Sequence, residues 1–379
     1  MQAARAALPR RLLNRYKICP SGSLPAEINS NRRIFIMYSF KNDYSEGAHP
    51  RILEAMMNAN LEQNEGYGLD SHSLAAAASI RKLADRDDVD VHILVGGTQT
   101  NLLAISSVLR PYQAAIAAST GHINVHEAGA IEGTGHKVLA LPSPDGKLTP
   151  SMIESCLKEH TDEHMVQPKL VYISDSTEIG TIYKKAELEA LHHFCRLHDL
   201  YLYLDGARLG SAMTCEENDL EISDIAAMTD AFYIGGTKNG ALIGEALVIA
   251  NPLMKENFRY MIKNRGAMLA KGFVAGIQFE ELFRDGLFFE MASHENQMAA
   301  VLRKGIEELG YPFYSDSPTN QLFPILPNPM IEELEKEFEF YRQYVVDDTH
   351  TAIRLVTSWA TPEAEVQNFL ASLKQLSVR

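Results

Sequence analysis

From residue 37 onward, short apolar runs alternate with longer segments in which apolar residues recur at helical spacing. The runs at 91–95, 114–118, 137–141, 170–174, 201–205, 231–235 and 246–250 read as strands. Helical patterns cover 50–64, 71–86, 97–109, 149–159 and 185–198. Asp70 or Ser71 is placed to cap the second, and Pro111 stops the third. Residues 122–131 read as a loop entering a helix. Strand, helix and strand at this spacing predict an α/β fold with a largely parallel sheet and crossover helices. Residues 257–310 read as mostly helix, including a long linking helix. Beyond Phe313 the pattern becomes a smaller α+β unit. Its strands are expected at 322–326 and 353–357, and its helices at 332–344 and 362–376. Three parts follow: an N-terminal extension, 1–36; a large domain, 37–295; and a small C-terminal domain, 296–379.

At 379 residues the chain is long enough for two cores. Its net charge of −14 argues against nucleic acid or an anionic membrane as the main partner. No apolar run approaches the ~20 residues needed to span a bilayer. Cys19, Cys156, Cys195 and Cys215 lie far apart, which fits a reducing compartment and signals neither a metal site nor a disulfide. The extension stands apart. Arg5, Arg10, Arg11, Arg15, Lys17, Arg32 and Arg33 face only Glu27 there, so it carries +6 and the remainder −20. Residues 1–36 read either as a transit peptide, implying a mitochondrial location, or as an extension before a start at Met37, implying a cytoplasmic one.

Two strand ends carry the chemistry. Tyr201-Leu-Tyr-Leu-Asp205-Gly-Ala-Arg208 delivers an acid and an arginine. Tyr233-Ile-Gly-Gly-Thr237-Lys238 delivers a lysine. Ligands of open α/β sheets sit outside the carboxyl ends of strands, so these groups are expected to share a pocket. Acid and lysine so placed suit pyridoxal phosphate, the acid holding the ring nitrogen and the lysine forming the Schiff base. Lys238 is otherwise a solvated loop lysine, and Asp205 otherwise a helix cap. Arg208 reads as a carboxylate or ring-hydroxyl ligand, or as a structural ion pair. Gly96-Gly97-Thr98 opens a helix where a phosphate can be cradled, with Thr98 and Gln99 adding donors, or it is an ordinary turn. His122, with Glu127 five residues on, can stack on a pyridine ring or act as acid or base. By sequence logic alone His164 is ordinary. Arg354, alone in an apolar strand, calls for an anionic substrate group or an inter-domain partner.

Several motifs in order resemble the low-specificity L-threonine aldolases, of the aspartate-aminotransferase-like (fold type I) group of pyridoxal-phosphate enzymes often called β-eliminating lyases. They are Tyr67-Gly68-Leu69-Asp70, Gly97-Thr98-Gln99-Thr100-Asn101, Gly121-His122-Ile123 with Glu127-Ala-Gly129, Leu204-Asp205-Gly206-Ala207-Arg208-Leu209, Thr237-Lys238, Thr319-Asn320 and Ile353-Arg354-Leu355-Val356-Thr357. The resemblance implies a mainly parallel seven-stranded sheet and cleavage of L-threonine or L-allo-threonine to glycine and an aldehyde. It makes Lys238 the cofactor lysine, Asp205 the partner of the ring nitrogen and His122 the stacking residue. Gly97, Thr98 and Gln99 would hold the phosphate, with Thr237 beside it. Arg208 and Arg354 would hold the ring hydroxyl or the substrate carboxylate, and His164 would be a second active-site histidine. It also implies a homodimer or homotetramer with the site at the subunit interface, where Tyr67 meets the neighbour's cofactor. The family's Arg-Ser-Asp-Thr segment reads Lys41-Asn42-Asp43-Tyr44, with Asn42 a candidate donor to the substrate. Its Thr-His-Asn loop reads Ser176-Thr177-Glu178, and a phosphate-linked arginine appears as Leu269, with Lys271 two residues on. Other readings are β-elimination or transamination on another amino acid, and a non-catalytic binding protein of the same fold.

Overall fold

Seven strands form the central sheet in the order Asp90–Leu94, Glu245–Ile249, Ala231–Gly235, Tyr201–Asp205, Gln167–Ser174, Gln113–Ala118 and Lys137–Leu141. This is a computed structural model, and it describes residues 37–378. The basic segment 1–36 and the expectations placed on it lie outside the described residues. All strands run parallel except Glu245–Ile249, which is antiparallel to both neighbours.

The central strands are apolar on both faces because helices cover both. Alternation sorts their residues. Tyr172, Tyr203 and Tyr233 sit in one cluster with Leu247 and Phe258, while Ile173, Leu204, Phe232 and Ile234 sit in the other with Phe279 and Phe288. The register pairs Tyr172 with Tyr203 and Ser174 with Asp205, so the carboxyl ends of adjacent strands line up at one edge. Gly206 then passes close to the next strand, where a Cβ would lie 1.9 Å from the Tyr233 carbonyl oxygen. That closeness explains why the acid is followed by glycine.

The helix Leu287–Glu308 runs unbroken through the expected domain boundary at 295/296, and the described residues 37–378 fall in one compact unit. Beyond it lies a small antiparallel sheet in which His350–Val356 pairs with Ile325–Pro327, Tyr341–Val345 and Gln321–Leu322. Tyr38–Ser39 reaches across the chain to pair with Phe338–Glu339. This region has its own core, in which the Phe369 ring meets Phe40, Phe338 and Phe340 at 5.6, 5.2 and 6.4 Å between centroids.

Three local expectations fail. The helix expected over 332–344 is the shorter Asn328–Leu334 followed by strands Phe338–Glu339 and Tyr341–Val345. Its Glu and Lys residues favour helix, but Phe338-Glu-Phe340 alternates with period two, and pairing with His350–Val356 prevails over propensity. The strand expected at 322–326 splits around Pro324, which has no N–H to give to a ladder. The first helix is Pro50–Asn58 and stops six residues short of Asn64.

Replacing Phe369 with alanine empties the centre of the small core. The variant is expected to unfold about 3–5 kcal/mol more readily in urea melts than the parent.

Candidate active site

At the carboxyl ends of the central strands the chain encloses a cavity of about 750 Å³. Lys238, Arg208, His122, His126, Glu178 and Arg354 line it, with Tyr44, Tyr341 and Tyr344 on the side of the small sheet. The topology dictates this meeting: Arg208 and Lys238 follow neighbouring strands, His122 follows Gln113–Ala118, and Arg354 projects from the small sheet.

Asp205 is buried close to His122 and Lys238, two of the lining residues. Its Oδ2 accepts from the Tyr172 hydroxyl at 2.6 Å and from Asn101 Nδ2 at 2.9 Å, and Oδ1 accepts from the Ala207 N–H at 3.0 Å. Burial pushes its pKa up, but the nearby His122 and hydrogen bonds from Tyr172, Tyr233 and Asn101 outweigh it, leaving the carboxyl below its ordinary range. Asn101 Nδ2 also donates to Glu127 Oε1 at 2.7 Å, while its Oδ1 accepts from the Tyr203 hydroxyl at 2.9 Å. Glu127 Oε1 lies 2.8 Å from His122 Nδ1. Glu178 Oε1 accepts from the His122 backbone N–H and the Ser174 hydroxyl, each at 2.8 Å, and Ser174 Oγ is 3.3 Å from the Tyr172 hydroxyl. The ring of contacts closes through Asp205. Burial, and then the charge of Asp205, raises the Glu178 pKa.

The cations differ in their partners. Arg208 gives Nε and Nη2 to Asp43 at 2.7 and 3.1 Å, and Asn320 Nδ2 also binds Asp43 at 3.0 Å. Arg208 therefore faces the cavity as half of an ion pair. Arg354 gives Nη2 to the Lys41 carbonyl at 3.0 Å and rests over the Tyr341 ring, but its Nε is buried without a partner. Desolvation, then Arg208, lowers the pKa of Lys238, as needed for a nucleophilic amine. The same two causes lower that of Arg354.

Gly97, Thr98 and Gln99 form the first turn of the helix Gly97–Val108, beside the Tyr233 hydroxyl, which would lie 3.1 Å from a Cβ on Gly97. Gln99 Oε1 is buried and unpartnered. The Thr237 hydroxyl accepts the Gly244 N–H at 3.0 Å, pinning the loop that carries Lys238. The uncapped backbone N–H groups of that first turn, with an anionic Asp205 and an amine held below its ordinary pKa, suit a phosphate-bearing ring with a basic nitrogen and a carbonyl carbon.

Two expected site residues are not brought in. Asn42 turns its Oδ1 to the N–H of Tyr44 and the hydroxyl of Ser45, both at 3.0 Å, and is not part of the cavity lining; a short amide two residues from a free N–H closes its own turn. His164 is exposed and lies before the strand Gln167–Ser174, at the sheet edge opposite the cavity. Within one subunit, a residue preceding a parallel strand lies a strand's length from the site formed where that strand ends.

Four residues of the site escaped sequence reasoning as site residues. Asn101 and Asp43 stood inside quoted motifs but only folding shows what they bind. Glu178 appeared only as a departure from a pattern. His126 carried a usable signal: it lies four residues after His122, the spacing that puts two side chains on one helical face. The two imidazole centroids are 5.5 Å apart.

A family profile described as Beta-eliminating lyase matches residues 41–327. A low-specificity L-threonine aldolase from a Pseudomonas species is 32% identical over 341 residues, covering 88% of this chain and 96% of that protein. The Escherichia coli K12 enzyme of the same name is 26% identical over 76% of this chain and 84% of its own. Among solved structures, Leishmania major threonine aldolase superposes with a TM-score of 0.89 at 54% identity, covering 90% of this chain and 99% of that one. Thermus thermophilus aspartate aminotransferase, at 15% identity and a TM-score of 0.68 over 90% of this chain and 91% of that one, shares the fold.

Behind the site, Asp175 is buried with Oδ2 unpartnered, and burial pushes its pKa from 3.8 up to about 8. Its folded value lies above its unfolded one, so folding takes up a proton once the pH exceeds the ordinary carboxylate range. Wild-type stability should therefore fall, relative to Asp175→Asn, between pH 4 and pH 8. The slope is at most about 1.4 kcal/mol per pH unit. Paired urea melts across that range check it, with the two proteins converging at the acid end.

Proposed function

The chain belongs to the beta-eliminating lyase family, and we propose that within it this protein is a pyridoxal-5′-phosphate-dependent aldehyde-lyase. It cleaves L-threonine and L-allo-threonine to glycine and acetaldehyde by retro-aldol chemistry. The observation that carries this reading is the half-buried Arg354, whose Nε is buried without a partner and which lines the same cavity as Lys238. An α-amino acid would suit both, its carboxylate held by Arg354 and its amino group lying beside Lys238. The aldolases of Pseudomonas and Leishmania major support it as relatives.

Pyridoxal phosphate fits the residues present. Lys238 would hold its carbonyl carbon, Asp205 its ring nitrogen, His122 a ring face, Arg208 its hydroxyl, and Gly97, Thr98 and Gln99 its phosphate. When bound it accepts the electron pair released at the substrate α-carbon. The protein's own part is orientation and charge. Asp205 stays anionic because three hydrogen bonds hold it so. Glu127 fixes the His122 ring through Nδ1. Arg354 sets which bond to the α-carbon faces the ring, and orientation of this kind contributes up to roughly 7–11 kcal/mol in the best intramolecular cases.

The site belongs at an interface between subunits of a homodimer or homotetramer. In support, Leu53, Met57, Leu61, Tyr67 and Leu69 present exposed apolar surface, more than half of Met57 and Leu61 being uncovered. In this arrangement Tyr67 meets the neighbour's cofactor.

The test mixes purified enzyme and cofactor with L-threonine. Glycine plus acetaldehyde is expected; pyruvate plus ammonia would instead mark β-elimination and overturn the reading. Lys238→Ala should lose both turnover and the visible absorbance of lysine-bound cofactor. Arg354→Gln should raise KM for threonine roughly 10–100-fold, the worth of a hydrogen bond to a charged group, with cofactor absorbance retained.

A further inference from the structure

Cleavage of a β-hydroxy amino acid needs a base at the hydroxyl, and the groups just assigned do not supply one. We propose that His126 takes the proton from the substrate β-hydroxyl. The proposal rests on the aldolase reading and deepens it.

His126 follows the short helix His122–Val125, its N–H donating to the His122 carbonyl at 2.9 Å, so its ring emerges beside that of His122. The centroids are 5.5 Å apart and the planes inclined by 54°. Both rings line the cavity. Their bonding separates them. His122 is fixed through Nδ1 to the buried Glu127, the arrangement of a ring that must hold one orientation. His126 makes no side-chain hydrogen bond with any of the described residues, so its nitrogens are open to a ligand. His164 lies at the other edge of the sheet.

The other candidates in the lining are poorer. Glu178 Oε1 already accepts two hydrogen bonds, and burial beside Asp205 favours its protonated form. Ser119, Thr120, Tyr44 and Tyr341 offer alcohols and phenols, weaker bases than imidazole. The groups around His126 also keep it ready. Partial burial, and then the charges of His122, Arg354, Lys238 and Arg208, hold its pKa below the ordinary imidazole value. An imidazole facing these cations stays neutral at neutral pH, the form that accepts a proton.

The step balances. The hydroxyl O–H bond breaks to an imidazole nitrogen, the C–O bond becomes a carbonyl, and the Cα–Cβ bond breaks. The electron pair of that bond remains on the glycine fragment until a proton returns to the α-carbon. The resulting imidazolium gives up its proton before the next turnover.

The experiment compares wild-type holoenzyme with His126→Asn and His126→Gln. With L-threonine, kcat is expected to fall by about 100-fold or more, the usual worth of a positioned base, while the affinity for glycine, read from the cofactor spectrum, stays within about threefold. In protein prepared without cofactor, ¹³C NMR of labelled histidines should show one imidazole, missing from the variants, titrating below the ordinary value. The assignment is overturned if wild type forms aldehyde and the variants keep kcat within about threefold, if glycine affinity falls as much as kcat, or if that imidazole remains protonated at neutral pH. A wild-type enzyme that forms no aldehyde from threonine overturns the aldolase reading and the base assignment together.

Discussion

One buried amide keeps the site's charges in order. The Asn101 side chain presents its NH₂ to two carboxylates, Asp205 and Glu127, and its oxygen to the Tyr203 hydroxyl. Two carboxylates in a dry pocket repel each other and drift toward protonation. Two N–H donors from one rigid group favour the Asp205 anion and fix where an oxygen of each acid sits. Asp205 can then remain an anion, and Glu127 can hold the His122 ring in one orientation. The neighbouring Tyr172 and Glu178 extend the same constraint to the backbone of His122. The network is costly if incomplete, since an unpaired buried charge loses its hydration without compensation.

A second division of labour concerns the arginines. Arg208 is neutralised by Asp43, which Asn320 also holds, so it shapes the cavity without dominating its charge. Among the described residues Arg354 has no carboxylate partner, which leaves it for a ligand. Their difference comes from two distant segments: the N-terminal stretch supplies Asp43, and the small sheet supplies Arg354. The site exists only where those segments and the large sheet converge. Nearby acids outside the ring of contacts, such as Asp175, are instead held neutral by burial.

Much of this was legible along the chain. The seven apolar runs predicted the seven sheet strands to within a few residues, because strand period and burial on both faces leave a local mark. Position at a strand end marks Asp205 and Lys238 as candidates from sequence alone. The misread stretch at 332–344 shows the opposite case: charged residues of good helix propensity were drawn into a strand by a partner beyond the turn at Asp347. Asn42 and His164 were placed by resemblance to a pattern, and folding left both outside the cavity.

The sequence by itself determined the fold class and the strand ends that carry an acid and a lysine. These depend on periodicity and on residues within a few positions of one another. Tertiary structure decided which arginine is free, which histidine is open to a substrate and which amide holds two acids in place. Those answers depend on partners such as Asp43 and Arg208, 165 residues apart, or Asn101 and Asp205, 104 apart. Hydrogen bonds and burial are set by distance in space, and no local pattern records that distance.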